Sequence, residues 1–233
     1  MLGAVERGQC TFATAACIGI VNKARFPDWL DHAAQCVVDN PILEWCRRNL
    51  PPLPFVDDKG AVCARLIAAV EQPLPRGDWR DLKALRARSP IPLMADESLV
   101  TLDDARLLLT EEAVDAFNIR VSKCGGLSRS VEIARLAAEA GVAVQVGSQV
   151  GETAILSAAG RHLAAGLPDV ASVEGSYGTL LLTEDLSLES VRFGHGGRAP
   201  LLEGPGLGVQ VVEERLRRHS KRVVALSSDG MAA

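Results

Sequence analysis

Five short apolar segments, each closing on a polar residue or a glycine, recur along the chain at a nearly constant period. They read as buried strands ending at Glu71 (LIAAVEQP), Asp96 (IPLMADES), Arg120 (VDAFNIRVS), Gly147 (GVAVQVGS) and Glu174 (DVASVEGS), with successive ends 25, 24, 27 and 27 residues apart. The stretches between them carry helix signals. Asp78 is placed to cap a helix over 79–88, with Leu82 and Leu85 on one face and Pro90 and Pro92 to stop it. Thr101 opens a second helix, with Asp104 completing a capping box and Leu102, Ala105, Leu108 and Leu109 forming the apolar stripe. A third spans 128–140 and ends at Gly141, and a fourth spans 152–165 before Gly166 and Pro168. Strand, helix, strand at this spacing is the βα unit of a parallel sheet, and five in succession predict an α/β barrel rather than a doubly wound sheet.

In such a barrel the working side chains sit at the C-terminal ends of the strands. The candidates there are Glu71, Asp96 with Glu97, Arg120 with Lys123, Ser148 with Gln149 and Glu152, and Glu174 with Ser176. Carboxylates following two neighbouring strands converge on one rim, where each raises the other's pKa unless a cation lies between them. Hard oxygen ligands of this kind suit Mg2+. A solvated polar rim without a metal is the alternative that the residues alone leave open.

At 233 residues, 48% of them hydrophobic and 23% charged, the chain can bury one sizeable core. A net charge of −4 predicts neither a nucleic acid nor an anionic membrane as partner, and the basic run over 215–222 reads as a solvated helix end. No apolar run approaches the ~18 residues of a membrane span. Residues 11–21 are apolar and rich in Ala, yet Glu6 beside Arg7 is not the basic flank of a signal peptide. The six cysteines form no CxxC pair and have no histidine at ligand spacing, so free thiols in a reducing cytoplasm are expected rather than a structural zinc. The histidines, His32, His162, His195 and His219, are scattered, and none stands at a strand end.

The order VEQPL, MADES, NIRVSKCGGL, VGSQVGET and GPGLGV resembles the barrel of the muconate-cycloisomerase and mandelate-racemase branch of the enolase superfamily, over residues 61–219. VEQPL followed by ADES is the specific part; GPGLG alone is a weak glycine signal and reads as a turn. The resemblance implies a (β/α)7β TIM barrel that binds Mg2+ through three carboxylates at the ends of three successive strands. Glu71 and Asp96 match the second and third ligands, and Glu97 would orient the site without touching the metal. The implied reaction starts by removing the proton alpha to a carboxylate of a small-molecule substrate, and a divalent cation neutralises the enediolate that forms. Glu152 resembles a glutamate that follows the seventh strand in the cycloisomerases, and with Ser148 and Glu174 it makes the candidate substrate contacts. Its competing reading is a helix N-terminal carboxylate favoured by the dipole. Val146, Gly147 and Ser148 fill the place of the racemase branch's histidine base, which points to the lysine-type branch.

Three departures from the family pattern bear on activity. Counting 24 residues on from Asp96, to the place of the family's lysine base, reaches Arg120. An arginine stays protonated to about pH 12, so it anchors a carboxylate or an enolate oxygen better than it accepts a proton. Lys123, in the SKCGG turn, serves as base if the turn aims it inward and otherwise only caps the rim. Upstream, the place of the first metal ligand falls at Trp45. Asp39, 32 residues before Glu71, is carried only as a candidate ligand. Asp57 and Asp58 lie too close, and Lys23 with Arg25 match the family's lysine pair only loosely. Finally, residues 1–60 are too few for the family's capping domain together with three βα units. The expected division is a divergent or rearranged segment over 1–60, the C-terminal half of a barrel over 61–220 and a tail over 221–233, with the capping domain missing.

An open half-barrel would expose sheet edges and an apolar inner face, which predicts cover by the N-terminal segment or association into a homo-oligomer. The leading functional reading is a Mg2+-dependent racemase, epimerase, cycloisomerase or dehydratase of enolase type. A barrel fragment that folds and associates without turnover is the alternative, favoured by the absent first ligand and lysine pair. A phosphate-binding barrel is a third, suggested by Gly147-Ser148 and Gly175-Ser176 after the last two strands.

Overall fold

A computed structural model of the chain describes residues 2–6, 9–13, 69–89, 91–176, 178–193 and 198–222. Strands β1 (Leu2–Glu6) and β2 (Gln9–Ala13) form an antiparallel hairpin. From residue 70 onward strands and helices alternate: β3 (Val70–Glu71), α1 (Trp79–Arg86), β4 (Leu93–Ala95), α2 (Leu102–Thr110), β5 (Ala116–Ile119), α3 (Leu127–Glu139), β6 (Ala143–Val146), α4 (Ala154–Gly166) and β7 (Ser172–Val173). A short helix α5 (Gly178–Leu181), a strand β8 (Ala199–Pro200) that pairs with β2, and a helix α6 (Glu213–His219) follow. Strands β3 to β7 hydrogen bond in chain order, and every pair is parallel. A parallel sheet in sequential order, with a helix crossing over between each pair of strands, is a half-barrel.

The expected helix boundaries hold to within two residues, for local reasons. Thr101 Oγ1 accepts the Asp104 N–H at 3.1 Å, and Asp104 Oδ2 accepts the Thr101 N–H at 2.8 Å, so α2 starts on a complete capping box. Gly141 ends α3 at φ 69°, a conformation that costs glycine nothing. Asp78 stands before α1 as expected, but its side chain makes no capping bond. Its backbone, at φ −85° and ψ 50°, lacks the extended form that turns a capping side chain over the first turn.

The two faces of the parallel sheet differ in chemistry. Ala95, Phe117, Ile119, Val144, Val146 and Val173 point outward and pack on Leu82 of α1, Ala105 and Leu108 of α2, and Ile133, Ala134 and Ala137 of α3. Phe117, Ile119 and Ile133 are wholly buried, each worth about 1.5–3 kcal/mol by burial alone. Period-two alternation turns Glu71, Asn118, Arg120, Gln145, Ser172 and Glu174 to the other face, and Asp96, just past β4, joins them. Asn118, Gln145 and Ser172 are register partners across β5, β6 and β7, and Ser172 Oγ donates to Gln145 Oε1 at 2.8 Å. The inner face is therefore polar. The expectation of an apolar one fails because each inward position of β5 to β7 carries a polar or small side chain.

Helix α6 pairs Arg217 with Glu213 and Arg218 with Glu214 one turn apart, and Arg215 pairs with Glu184, so the helical part of the basic run is a charge-paired helix. No helix among the described residues is long and apolar enough to cross a membrane.

Candidate functional site

Parallel register sets three strand ends side by side, and their inward residues meet. Arg120, just past β5, uses a single nitrogen for two carboxylates: Nη2 donates to Glu71 Oε1 at 3.3 Å and, at closer range, to Asp96 Oδ2. Asn118 Nδ2 donates to the same Glu71 oxygen at 2.6 Å. The turn after β5 curls back because the Lys123 and Cys124 N–H groups bond the Arg120 carbonyl, and Gly125 and Gly126 complete it at φ 83° and 93°. That curl carries Lys123 Nζ to Asp96 Oδ1 at 2.5 Å, the Asp96 carbonyl at 2.6 Å and the Asn118 carbonyl at 2.9 Å. Asp96 is 2% exposed, and each of its carboxylate oxygens is held by a cation.

Three residues that the sequence reading gave no part in the carboxylate site, Gln72, Asn118 and Gly147, fix this geometry. Gln72, at φ 42°, accepts the N–H groups of Asp96 and Ser98 at 2.9 and 3.0 Å and donates to the Leu74 carbonyl and Ser98 Oγ. Its carboxamide ties the end of β3 to the loop after β4. Gly147 follows β6 where a Cβ would lie 1.9 Å from Asn118 Oδ1, so only glycine leaves room for the amide that holds Glu71. Asn118 itself was legible: it stands two residues before Arg120 on a strand and must share its face. Gln72 gave no comparable signal, because its role depends on a left-handed backbone that the sequence does not announce.

Burial pushes the Glu71 carboxyl up to about 7, and the charges of Asp96 and Glu174 add to the rise against the opposing Asn118 hydrogen bond. Glu174 Oε2 accepts the Ser148 N–H at 3.3 Å, which puts a carboxylate where a bound phosphate would need donors and disfavours the phosphate reading. Burial also raises Glu152, whose carboxylate accepts Ser157 Oγ–H at 2.7 Å and the Gln149 N–H at 3.0 Å at the start of its own helix. Asn118 Oδ1, Arg120 Nε, Gln145 Nε2 and Ser148 Oγ are buried without a partner among the described residues.

Of the candidates, Glu71, Asp96, Arg120, Lys123 and Glu174 come together, with Ser148 and Glu152 alongside. Glu97 does not join them: its side chain is exposed, and Gln72 supports Asp96 instead. Asp39, Trp45, Lys23 and Arg25 lie outside the described residues. His162 bonds the Leu207 carbonyl and His219 bonds Glu184, both away from the site. Among the described residues no three acidic, histidine or cysteine side chains are gathered around one metal position. Two hard carboxylates converging on one point do suit a divalent cation, at the place where Arg120 Nη2 now lies.

The Enolase C-terminal domain-like family matches residues 57–215. Muconate cycloisomerase 1 of Rhodococcus opacus is 36% identical over 145 residues, covering 62% of this chain and 38% of that protein. An N-succinyl-L-Arg/Lys racemase of Bacillus cereus is 35% identical over 153 residues, covering 64% and 39%. The chain thus spans well under half the length of either relative. Among solved structures, a muconate lactonizing enzyme from Pseudomonas fluorescens complexed with muconolactone superposes with a TM-score of 0.62 at 31% identity, covering 69% of this chain and 43% of that one. A 2-chloromuconate cycloisomerase from Rhodococcus opacus 1CP gives a TM-score of 0.66 at 28% identity, covering 85% and 56%. The sequential parallel strands, the carboxylate pair at their ends and these matches agree: the chain belongs to the enolase C-terminal domain-like family.

Proposed function

We propose that the chain carries part of the active site of a Mg2+-dependent isomerase that removes the proton alpha to a carboxylate of a small-molecule substrate. Racemisation, epimerisation and cycloisomerisation are the outcomes suggested by its relatives, and dehydration follows from the same first step. The supporting observation is the meeting of Glu71 and Asp96 on one nitrogen of Arg120. Both carboxylates would hold the cation, whose charge would stabilise the enediolate oxygens as they gain negative charge.

The remaining roles follow from the chain's own side chains. Arg120 cannot accept a proton at neutral pH, but its buried Nε–H lacks a partner among the described residues and suits a substrate carboxylate or enolate oxygen. Lys123 is 10% exposed and donates to three oxygens, so its ammonium holds Asp96 in place. To act as base it must first leave these acceptors. Ser148 Oγ, buried beside Glu174 without a partner among the described residues, suits a polar group of the substrate. The engagement of Lys123, the candidate base, by Asp96 favours the second reading, a barrel that binds without turnover.

Two measurements separate these readings. Calorimetric titration with Mg2+ is expected to show binding that Glu71→Gln abolishes; no binding, or equal binding by the variant, defeats the metal assignment. Proton NMR in D2O, with an N-succinyl amino acid or muconolactone and Mg2+ present, reads turnover directly. Exchange at the alpha position supports the isomerase, and metal binding without exchange supports the non-catalytic barrel.

A further inference from the structure

We infer that Arg120 and a divalent cation are mutually exclusive occupants of the site: the guanidinium is the resident counter-ion of Glu71 and Asp96, and metal enters only as Arg120 withdraws. The inference rests on the metal reading above and adds that this chain's own side chain sets the metal affinity.

Geometry carries the exclusion. A small divalent ion needs ligand oxygens at about 2.0–2.1 Å in near-octahedral array, and it must lie between the two carboxylates. Arg120 Nη2 already lies there, in contact with Glu71 Oε1 and Asp96 Oδ2. Both Asp96 oxygens are engaged, Oδ2 by Arg120 and Oδ1 by Lys123 Nζ at 2.5 Å, and the residue is buried. Turning the Asp96 carboxylate to free an oxygen would also break the lysine contact. On the Glu71 side, Oε1 carries both Asn118 and Arg120. A cation drawn between the two carboxylates would therefore compete with Arg120 for the Asp96 oxygen it now holds.

Arg120 is built to leave. Its contacts to the two carboxylates run through Nη2 alone, while Nε is buried without a partner among the described residues, so the guanidinium is not clamped in the bidentate manner of a structural arginine. Glu174 and Glu152 accept the adjacent Ser148 and Gln149 N–H groups just past β6, the strand beside Arg120's own, and so place two further carboxylates near this strand end.

The test is the Mg2+ affinity of the 233-residue chain and its Arg120→Gln variant, by calorimetry, with Mn2+ electron paramagnetic resonance counting the bound ion. The expected result is binding at least tenfold tighter in Arg120→Gln, lost again in the Glu71→Gln/Arg120→Gln double variant. Equal or weaker binding by Arg120→Gln, with the native chain binding metal, overturns the inference and leaves the proposed metal site standing. No binding by either protein overturns both. Should Arg120→Gln fail to fold, crystals of the native chain soaked in Mn2+ decide. Anomalous density between Glu71 and Asp96 with Arg120 turned away supports exclusion, whereas Mn2+ bound with Nη2 still bridging the carboxylates overturns it. A soaked site without Mn2+ overturns the metal reading as well.

Discussion

Replacing Gly147 by alanine adds one methyl group where a buried side chain already fills the space. The new Cβ would lie 1.9 Å from Asn118 Oδ1, 2.7 Å from Cγ and 2.9 Å from Nδ2, all atoms of a wholly buried side chain. Ordinary contact begins at 3.4 Å, so the amide must retreat by about 1.5 Å. A retreat of that size breaks its 2.6 Å bond to Glu71. Overpacking costs about 1–3 kcal/mol and loss of a hydrogen bond to a charged group about 1.5–3 kcal/mol, giving about 2.5–6 kcal/mol in all. Urea unfolding followed by circular dichroism measures this as a lower midpoint at unchanged slope. The double variant Gly147→Ala/Asn118→Ala isolates the clash. With the amide gone the added methyl is harmless, so the double variant should be no less stable than Asn118→Ala alone. A loss under about 0.5 kcal/mol in Gly147→Ala, or strict additivity of the two substitutions, refutes the reasoning.

Asp96→Asn keeps the shape but leaves Arg120 and Lys123, 18% and 10% exposed, without their shared anion. The expected destabilisation is about 3–5 kcal/mol by urea unfolding. The folded-state value for Glu71, about 7, lies above the ordinary 4.5, so the folded chain holds this proton more tightly than the unfolded one. The resulting stability is complete below pH 4.5 and is lost as the pH rises through about 7. In metal-free buffer Glu71→Gln should flatten that decline, and parallel pH curves for the two proteins would contradict it. Thr101→Ala removes half of the α2 capping box and should cost about 1 kcal/mol in thermal or urea unfolding. Strand β3 pairs only with β4 among the described residues. Such an edge invites a second copy, so light scattering should find at least a dimer, and a monomer at all concentrations would count against this.

The architecture was legible because a parallel βα repeat writes its period into the chain. Strands β4, β5 and β7 end one residue before the polar residues read as their limits, Asp96, Arg120 and Glu174. The convergence of Glu71 and Asp96 followed from the same logic, since neighbouring parallel strands deliver their ends to one rim. What lay between these two carboxylates did not follow. That Lys123 reaches Asp96 depends on a turn whose two glycines take positive φ, and spacing alone left its aim open. Glu97 misleads because adjacency in sequence is not adjacency in space: Asp96 is buried while its neighbour faces solvent. The inner face read as apolar because the strands were judged by overall composition, whereas alternation assigns the polar half of each strand to the interior.

The four hydrogen bonds of the Gln72 carboxamide have a consequence for how this chain can vary over evolutionary time. They join the residue after Glu71 directly to the backbone of Asp96 and Ser98, beside the β3–β4 ladder. The separation of the two acidic groups is therefore set by a short bridge through space and not by the intervening twenty-odd residues. Insertions, deletions or wholesale replacement across the first crossover helix should leave that separation intact so long as the glutamine survives, whereas one substitution at Gln72 would let the two turns drift apart.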